Sequence, residues 1–363
     1  YQFSKGKRLE GKMVGIKEVA KKAGVSISTV SNVMNEKKPV SPELKARVNE
    51  AIEALQYEVN PVGRGLKSNK TNQVGVIVPS FNQVYFPAIL QGIHEAGMKY
   101  GYNILVFETN GNVELEKEHV RFLQHSWTDG IILASCANAE NISDRKYIRS
   151  LLDSGNRKKK IPVVSLENVL DPGIDAVVID NRKAAETAVS HLISLGHKTI
   201  AHIAAPYRFQ IGTLRLQGYK ETMQREGLTV DEDLICEGDY TPISGYQAMK
   251  EILKKGKKFT AVFAGNDQMG IGALRALLDE GYHVPGDIAV IGIDNNFPST
   301  LVTPSLSSVN LPKYDLGFQA MHLLNQRMKE PEKPRCVITL ESELVVRKST
   351  SKEGNGTWNL YGW

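Results

Sequence analysis

The stretch Ile16–Asn35, IKEVAKKAGVSISTVSNVMN, constrains this chain more than any other. Ile16, Val19, Ala20 and Ala23 recur at helical spacing, so the first half reads as a short amphipathic helix. Gly24 can take a positive φ and so ends it. Ser26 can cap a second helix by accepting from an N–H one turn on, and Val30, Val33 and Met34 give that helix one apolar face. Helices this short cross closely only where the contact residue is small, and Ala20 supplies it. The pattern is a DNA-binding helix-turn-helix, whose second helix enters the major groove.

A third helix extends this head. Ser41-Pro42 predicts it, with Ser as N-cap and Pro in the first turn, and its face Leu44, Val48, Ile52, Leu55 packs back on the first two. Residues 1–73 hold 14 Lys/Arg and 7 Asp/Glu, a net +7, so the other 290 residues carry −2 of the chain's +5. A basic head on a mildly acidic body suits a grip on phosphates. Asn60–Thr71, NPVGRGLKSNKT, with Pro, two Gly and three basic residues, reads as a linker.

From Gln73 the texture changes to β-branched runs alternating with helical stretches: VGVIVP, NILVFE, GIILAS, PVVSLE and AVVID, then TIAHIAA, Leu234–Glu237, AVFAGN and IAVIGID. Such alternation means parallel βαβ units, here in two series. The expected fold is an all-α helix-turn-helix head on an α/β body of two doubly wound parallel-sheet subdomains. Ligands on such sheets bind beyond the strands' carboxyl ends, so the cleft between the subdomains is the default site.

Composition narrows the class. Apolar content of 41% and charged content of 23% suit a soluble globular chain, and no apolar run is long enough to span a bilayer. The basic N-terminus has no apolar core after it, so a secretory signal is not indicated and the cytoplasm is the expected compartment. Cys136, Cys236 and Cys336 are far apart with no CxxC, which indicates neither a disulfide framework nor a zinc site. No cofactor is called for.

Head, linker and body motifs occur together and in one order. With the hinge NPVGRGLK and the body runs HLISLGHKTIAHIA (191–204), RLQGY (215–219), FAGNDQMGIGAL (263–274) and DIAVIGIDN (287–295), the chain from about Ile16 to Thr350 resembles the lac repressor/galactose repressor family of bacterial transcription regulators. The body resembles periplasmic sugar-binding proteins. The resemblance implies a homodimer, sometimes a dimer of dimers, that binds double-stranded operator DNA. A small-molecule effector of the sugar, sugar phosphate or nucleobase class controls that binding. It implies domains at 13–59 (head), 60–73 (hinge) and 74–350 (effector binding and dimerisation), after a disordered leader at 1–12 and before a tail at 351–363. Subdomain one takes about 74–179 and 309–340, subdomain two about 180–308. Met13 is a candidate natural start.

By position, the resemblance puts Ile27, Ser28 and Asn32 where base edges are read; Asn can pair bidentately with adenine and Ile can touch a thymine methyl. Thr29 falls to phosphates or helix geometry. Leu66 matches a leucine that wedges into the minor groove. Gly63 and Gly65 should leave the hinge less ordered off DNA, since each weakens a helix by roughly 1 kcal/mol. For the effector, Gln83, Tyr85 and Phe86 match positions that contact and stack on ligands, and Tyr240 a stacking aromatic. Glu167, Arg215, Asn266 and Asp294 match polar ligand positions; Asn266 also reads as a helix N-cap. Leu311 stands where many relatives place an effector-binding Gln, which implies a less hydroxylated ligand face or a different effector.

Other classes fit less well. A sugar-metabolising enzyme would show a nucleophile elbow, P-loop or HExxH, and would leave the basic head unexplained. A transport-type binding protein would need a signal peptide. Within the family, control mainly by a phosphorylated carrier-protein co-repressor stays open.

Overall fold

In the computed structural model of the chain, the described residues are 15–35, 38–57, 70–126, 128–138, 141–152 and 161–354. They form two compact units that divide between Thr71 and Asn72. The leader, most of the hinge with Gly63, Gly65 and Leu66, and the end of the tail lie outside the described residues.

The head is three helices, α1 (Ile16–Ala23), α2 (Ile27–Asn35) and α3 (Pro42–Ala54). Val19, Ala20, Ala23, Val30, Val33, Val48 and Ala51 form its core, with Ile52 and Leu55 packed against it. Gly24 takes φ 63°, and its N–H returns to the carbonyls of Ala20 and Lys21. The Ser26 hydroxyl accepts from the Thr29 N–H at 3.1 Å, so both turn signals act as expected. Ser41 does sit at the N-cap of α3, but its side chain makes no capping bond. Arg47 does something no periodicity could show: its Nη2 donates to the Ala23 carbonyl at 2.7 Å, tying α3 to the negative end of α1.

The body holds two six-stranded sheets. The first contains β1 (Gln73–Val78), β2 (Asn103–Glu108), β3 (Gly130–Leu133), β4 (Val163–Leu166), β5 (Asp175–Ile179) and β11 (Val337–Leu340), in the order β11-β5-β4-β3-β1-β2. The second contains β6 (Ile200–Ala204), β7 (Ile235–Glu237), β8 (Ala261–Ala264), β9 (Ala289–Asp294), β10 (Ser307–Asn310) and β12 (Glu343–Val345), in the order β12-β10-β9-β8-β6-β7. The orders correspond strand for strand, and the pairings are parallel except β10–β12, which is antiparallel. Helices cover both faces of each sheet. On β1, Val76 and Val78 belong to one core and Ile77 to another; on β8, Phe263 and Val262 divide likewise. That two-sided burial is why these strands read as continuous apolar runs rather than alternating ones.

Helices α4 (Phe86–Tyr100), α5 (Val113–His125) and α6 (Ile142–Ser150) fall in the first half. Helices α7 (Asn181–Ser194), α8 (Gln210–Arg225), α9 (Pro242–Lys254), α10 (Asp267–Asp279) and the short α11 (Pro298–Leu301) fall in the second. The chain then returns: α12 (Lys313–Lys329) packs on α4 and leads into β11 of the first sheet, and the last strand crosses back to the second. The return therefore starts after Asn310, since residues 309 and 310 still pair with β9, and residues 343–345 also belong with subdomain two. Among the described residues no helix is long and apolar enough to cross a membrane.

Candidate functional site

The exposed side of the head's second helix carries the expected reading positions. Ile27 is 38% exposed, an apolar side chain left outside the core, and Ser28 is exposed too. Asn32 is half-buried. Thr29 is engaged locally: its hydroxyl lies 2.9 Å from that of Ser26, and the Ser28 hydroxyl lies 2.7 Å from the same oxygen. Lys17, Lys21 and Lys22 are exposed on α1, where cations can meet phosphates.

In the body, all eight predicted effector positions border one cleft: Gln83, Tyr85, Phe86, Glu167, Arg215, Tyr240, Asn266 and Asp294. It encloses about 660 Å³ of space not filled by protein atoms, its open mouth included. Its walls are segments that follow the carboxyl ends of strands in both sheets, where a doubly wound sheet leaves room. Ser135, Cys136, Asn168, Phe209, Gln210 and Gln268 also border it, and none of them was an expected site residue, though Gln268 lies in the motif FAGNDQMGIGAL. The signal they share is position: each stands within a few residues of a strand's carboxyl end.

Backbone strain gathers here. Glu167, Tyr240 and Asp294 hold φ of 67°, 72° and 111°, a region side-chain-bearing residues rarely adopt. The surrounding bonds show what holds them. Arg215, 3% exposed, donates from Nε to Asn181 Oδ1 at 2.9 Å, from Nη1 to the Gly265 carbonyl at 2.5 Å and from Nη2 to Asp294 Oδ1 at 3.5 Å. One guanidinium thus joins the ends of three chain segments. Gly265 must be glycine, because a Cβ there would lie 2.7 Å from the Ala205 backbone nitrogen. Asn266 caps α10, accepting from Met269 N–H at 2.9 Å, while its Nδ2 donates to the Tyr240 carbonyl at 3.2 Å. Beneath them the buried Asp267 accepts from Ser308 Oγ (2.6 Å), Ser299 Oγ (2.7 Å) and Asn296 N–H (2.7 Å). Lys313 donates to the carbonyl of Asp294.

The carboxylates are perturbed accordingly. Burial pushes Glu167 up to about 7, with the Asp294 charge adding to it and the nearby Tyr85 hydroxyl and Arg215 opposing. Burial also raises Asp294, against the pull of Arg215 and Lys313. The Cys136 thiol is pushed up to about 12, chiefly by burial, which leaves it protonated. Several neutral groups are incomplete. Asn168 Oδ1 and Gln268 Oε1 are buried atoms without a hydrogen-bond partner among the described residues, and the buried Tyr85 Oη has only the Glu167 carboxyl beside it. Such atoms are uncommon in folded proteins, and two bordering one cleft invite a ligand.

Two expectations need correction. Phe86 is 2% exposed and belongs to the core that α4 builds, so it is not a free stacking face. The aromatic platform is instead Tyr240 with Phe209, stacked at 6.2 Å and 29°. Leu311 is 1% exposed and packs into the same core, away from the cleft lining; its apolar side chain follows the core rather than the ligand. Among the described residues no group of His, Cys, Asp and Glu could hold a metal ion.

Residues 15–60 match the family described as bacterial regulatory proteins, lacI family, and residues 189–350 match the periplasmic binding protein-like domain. Catabolite control protein A of Priestia megaterium is 36% identical over 93% of this chain and 99% of its own length. The crystal structure of the lac repressor bound to ONPG in the repressed state superposes with a TM-score of 0.83 at 28% identity, covering 93% of this chain and 100% of that one. A complex of the transcriptional regulator CelR with cellobiose gives 0.69 at 32% identity, over 93% and 99%.

Proposed function

The chain belongs to the lacI family of bacterial regulatory proteins, as a DNA-binding transcriptional regulator, and we propose that it is a repressor whose operator affinity is set by a small sugar-like effector in the cleft between its two α/β subdomains. It acts in the cytoplasm as a homodimer or a dimer of dimers. Ile27, Ser28 and Asn32 read base edges, Thr29 supports the recognition helix and Leu66 enters the minor groove. Seven of the eight cleft positions bind the effector, with Arg215 and Asn266 ordering the site and Tyr240 stacking, while Phe86 supports the wall from the core.

The observation that carries this reading is the strained, incompletely hydrogen-bonded cleft where both sheets present their carboxyl ends. The sugar and glycoside named in the CelR and lac repressor structures support the effector class. An enzymatic reading has no counterpart among these relatives, which are named as regulators.

The test is duplex selection from a random DNA library, followed by affinity measurement on the selected site. Affinity should fall steeply between low and moderate salt as head cations displace counterions. Asn32→Ala should cost about 1–3 kcal/mol on that site and relax preference at one base position. Salt-independent binding, or a loss spread evenly over all sequences, would remove the assignment of the head.

A further inference from the structure

The cleft's charges and unpartnered groups bear on which kind of effector it takes. Its lining contains two carboxylates, Glu167 and Asp294, and one cation, Arg215. That cation is occupied: its Nε and both Nη atoms are directed at Asn181, the Gly265 carbonyl and Asp294. The next charges out are also engaged. Lys313 donates to the carbonyls of Asp294, Asn295 and Leu311, and Asp267 is held by three donors. Arg208 is the exception: exposed over the outer aromatic Phe209, it carries a charge felt by the lining residues Cys136 and Tyr240. An incoming phosphate would have to displace Asp294 from Arg215 while facing Glu167. The start of α8 at Gln210, which has no side-chain cap, offers an anion about half an elementary charge against these two carboxylates.

What the cleft leaves open is neutral. Asn168 Oδ1 and Gln268 Oε1 lack partners, Tyr85 Oη has only the Glu167 carboxyl beside it, and Tyr85 and Asn168 are each only 7% exposed. Hydroxyl groups can both donate to the two amide oxygens and accept from the phenol. The stacked Phe209–Tyr240 pair adds an apolar surface suited to the C–H side of a sugar ring. The geometry points to a cleft selective for an uncharged, polyhydroxylated ligand, a free sugar without a phosphate ester, with Asn168 and Gln268 among its polar anchors. This rests on the cleft being the effector site.

The experiment is a thermal-shift and operator-binding panel on the full chain at 10 mM ligand. One arm holds glucose, galactose, fructose, ribose, cellobiose, maltose, sucrose and trehalose. A second holds glucose 6-phosphate, fructose 6-phosphate, fructose 1,6-bisphosphate and trehalose 6-phosphate; a third holds guanine and hypoxanthine. At least one free sugar should raise Tm and change operator affinity, and phosphorylation of it should weaken binding at least tenfold. The Asn168→Ala/Gln268→Ala double variant should keep the unliganded Tm and lose that shift. A phosphorylated sugar or a purine binding as well as any free sugar would overturn the selectivity while leaving the cleft as effector site. A free-sugar shift that survives in the double variant would overturn the anchors. A free sugar that binds without changing operator affinity would sustain this inference and sink the regulatory reading. Silence across all three arms would overturn both.

Discussion

Each subdomain of the body buries an arginine–aspartate pair, and the two pairs are built differently. In the first, Arg327 grips Asp175 with two bonds, Nε at 2.7 Å and Nη2 at 3.0 Å, and Asp175 also accepts from the Cys336 N–H at 2.9 Å. Asp175 opens β5, at the amino end of the sheet. Burial would raise its pKa, but the Arg327 fork, the Cys336 N–H and the Arg335 charge outweigh that and hold it below the usual range. In the second, Arg215 meets Asp294 through one long contact of 3.5 Å, at the carboxyl end of β9, and burial leaves Asp294 raised. The closed pair stands where a doubly wound sheet has no site; the slack pair stands where it does. A carboxylate that its arginine does not fully satisfy retains capacity for a ligand's hydroxyls.

Paired substitutions sharpen this contrast most. Arg327→Ala strands an ionised carboxylate in the interior and should cost about 3–5 kcal/mol. Arg215→Ala leaves a carboxyl already inclined to hold its proton, so it should cost less, roughly 1–3 kcal/mol, yet abolish the effector response. Urea denaturation of both variants, with and without effector, measures the difference. Equal costs, or a retained response in Arg215→Ala, would collapse the distinction between a closed pair and a working one.

Two further buried groups, Glu167 in the first subdomain and His202 in the second, have opposite pH behaviour. Glu167, held at about 7 against an ordinary 4.5, favours the folded state most below 4.5, and that contribution is lost as pH rises through 7. His202, in the second subdomain, is buried against Tyr219 and Phe263 and lowered to about 4 from 6.5 by burial. Its contribution is complete above 6.5 and lost as pH falls through 4. Glu167→Gln should therefore be more stable than the parent at pH 8 by roughly 1–3 kcal/mol, with the gap closing near pH 4. A pH series of melting curves with a gap independent of pH would show that Glu167 does not titrate in the cleft.

Legibility in the sequence followed how local each determinant was. The head's turn depends on Gly24 and Ser26 acting within one turn of themselves, and the structure repeats that reading almost residue for residue. The buried strands announced themselves because both faces are covered. The helix at Ile142–Ser150 did not, since ISDRKYIRS buries only Tyr147 and Ile148. Nor did Val337–Leu340, an edge strand with half its residues exposed. In the cleft, charged and motif-bound positions such as Arg215 and Asp294 stood out. Asn168 and Phe209 carry no periodicity or motif, Gln268 lies in a quoted motif without standing out in it, and their significance arises only when distant loops meet. The partners of Arg215 lie 34, 50 and 79 residues away, a separation no local pattern records.

The smallest effect on stability belongs to the group with the least to lose. Tyr85 is 7% exposed and packs edge-on against Phe86, with centroids 5.4 Å apart at 83°, so its ring is fixed by the core. Its hydroxyl is buried with no well-formed hydrogen bond, the Glu167 carboxyl being the one group beside it. Burying a polar group so weakly paired costs free energy, and deleting it while keeping the ring recovers some of that cost. Tyr85→Phe should therefore be neutral to about 1 kcal/mol more stable without effector. With effector the sign reverses, because the hydroxyl then has a ligand oxygen to engage; affinity should fall roughly five- to thirty-fold, the equivalent of one hydrogen bond of about 1–2 kcal/mol. Isothermal titration on both proteins, alongside their unliganded melting curves, separates the two effects. A variant that lost stability and kept its affinity would mean that the hydroxyl serves the fold, and that the first subdomain's face of the cleft is as closed as its Asp175–Arg327 pair.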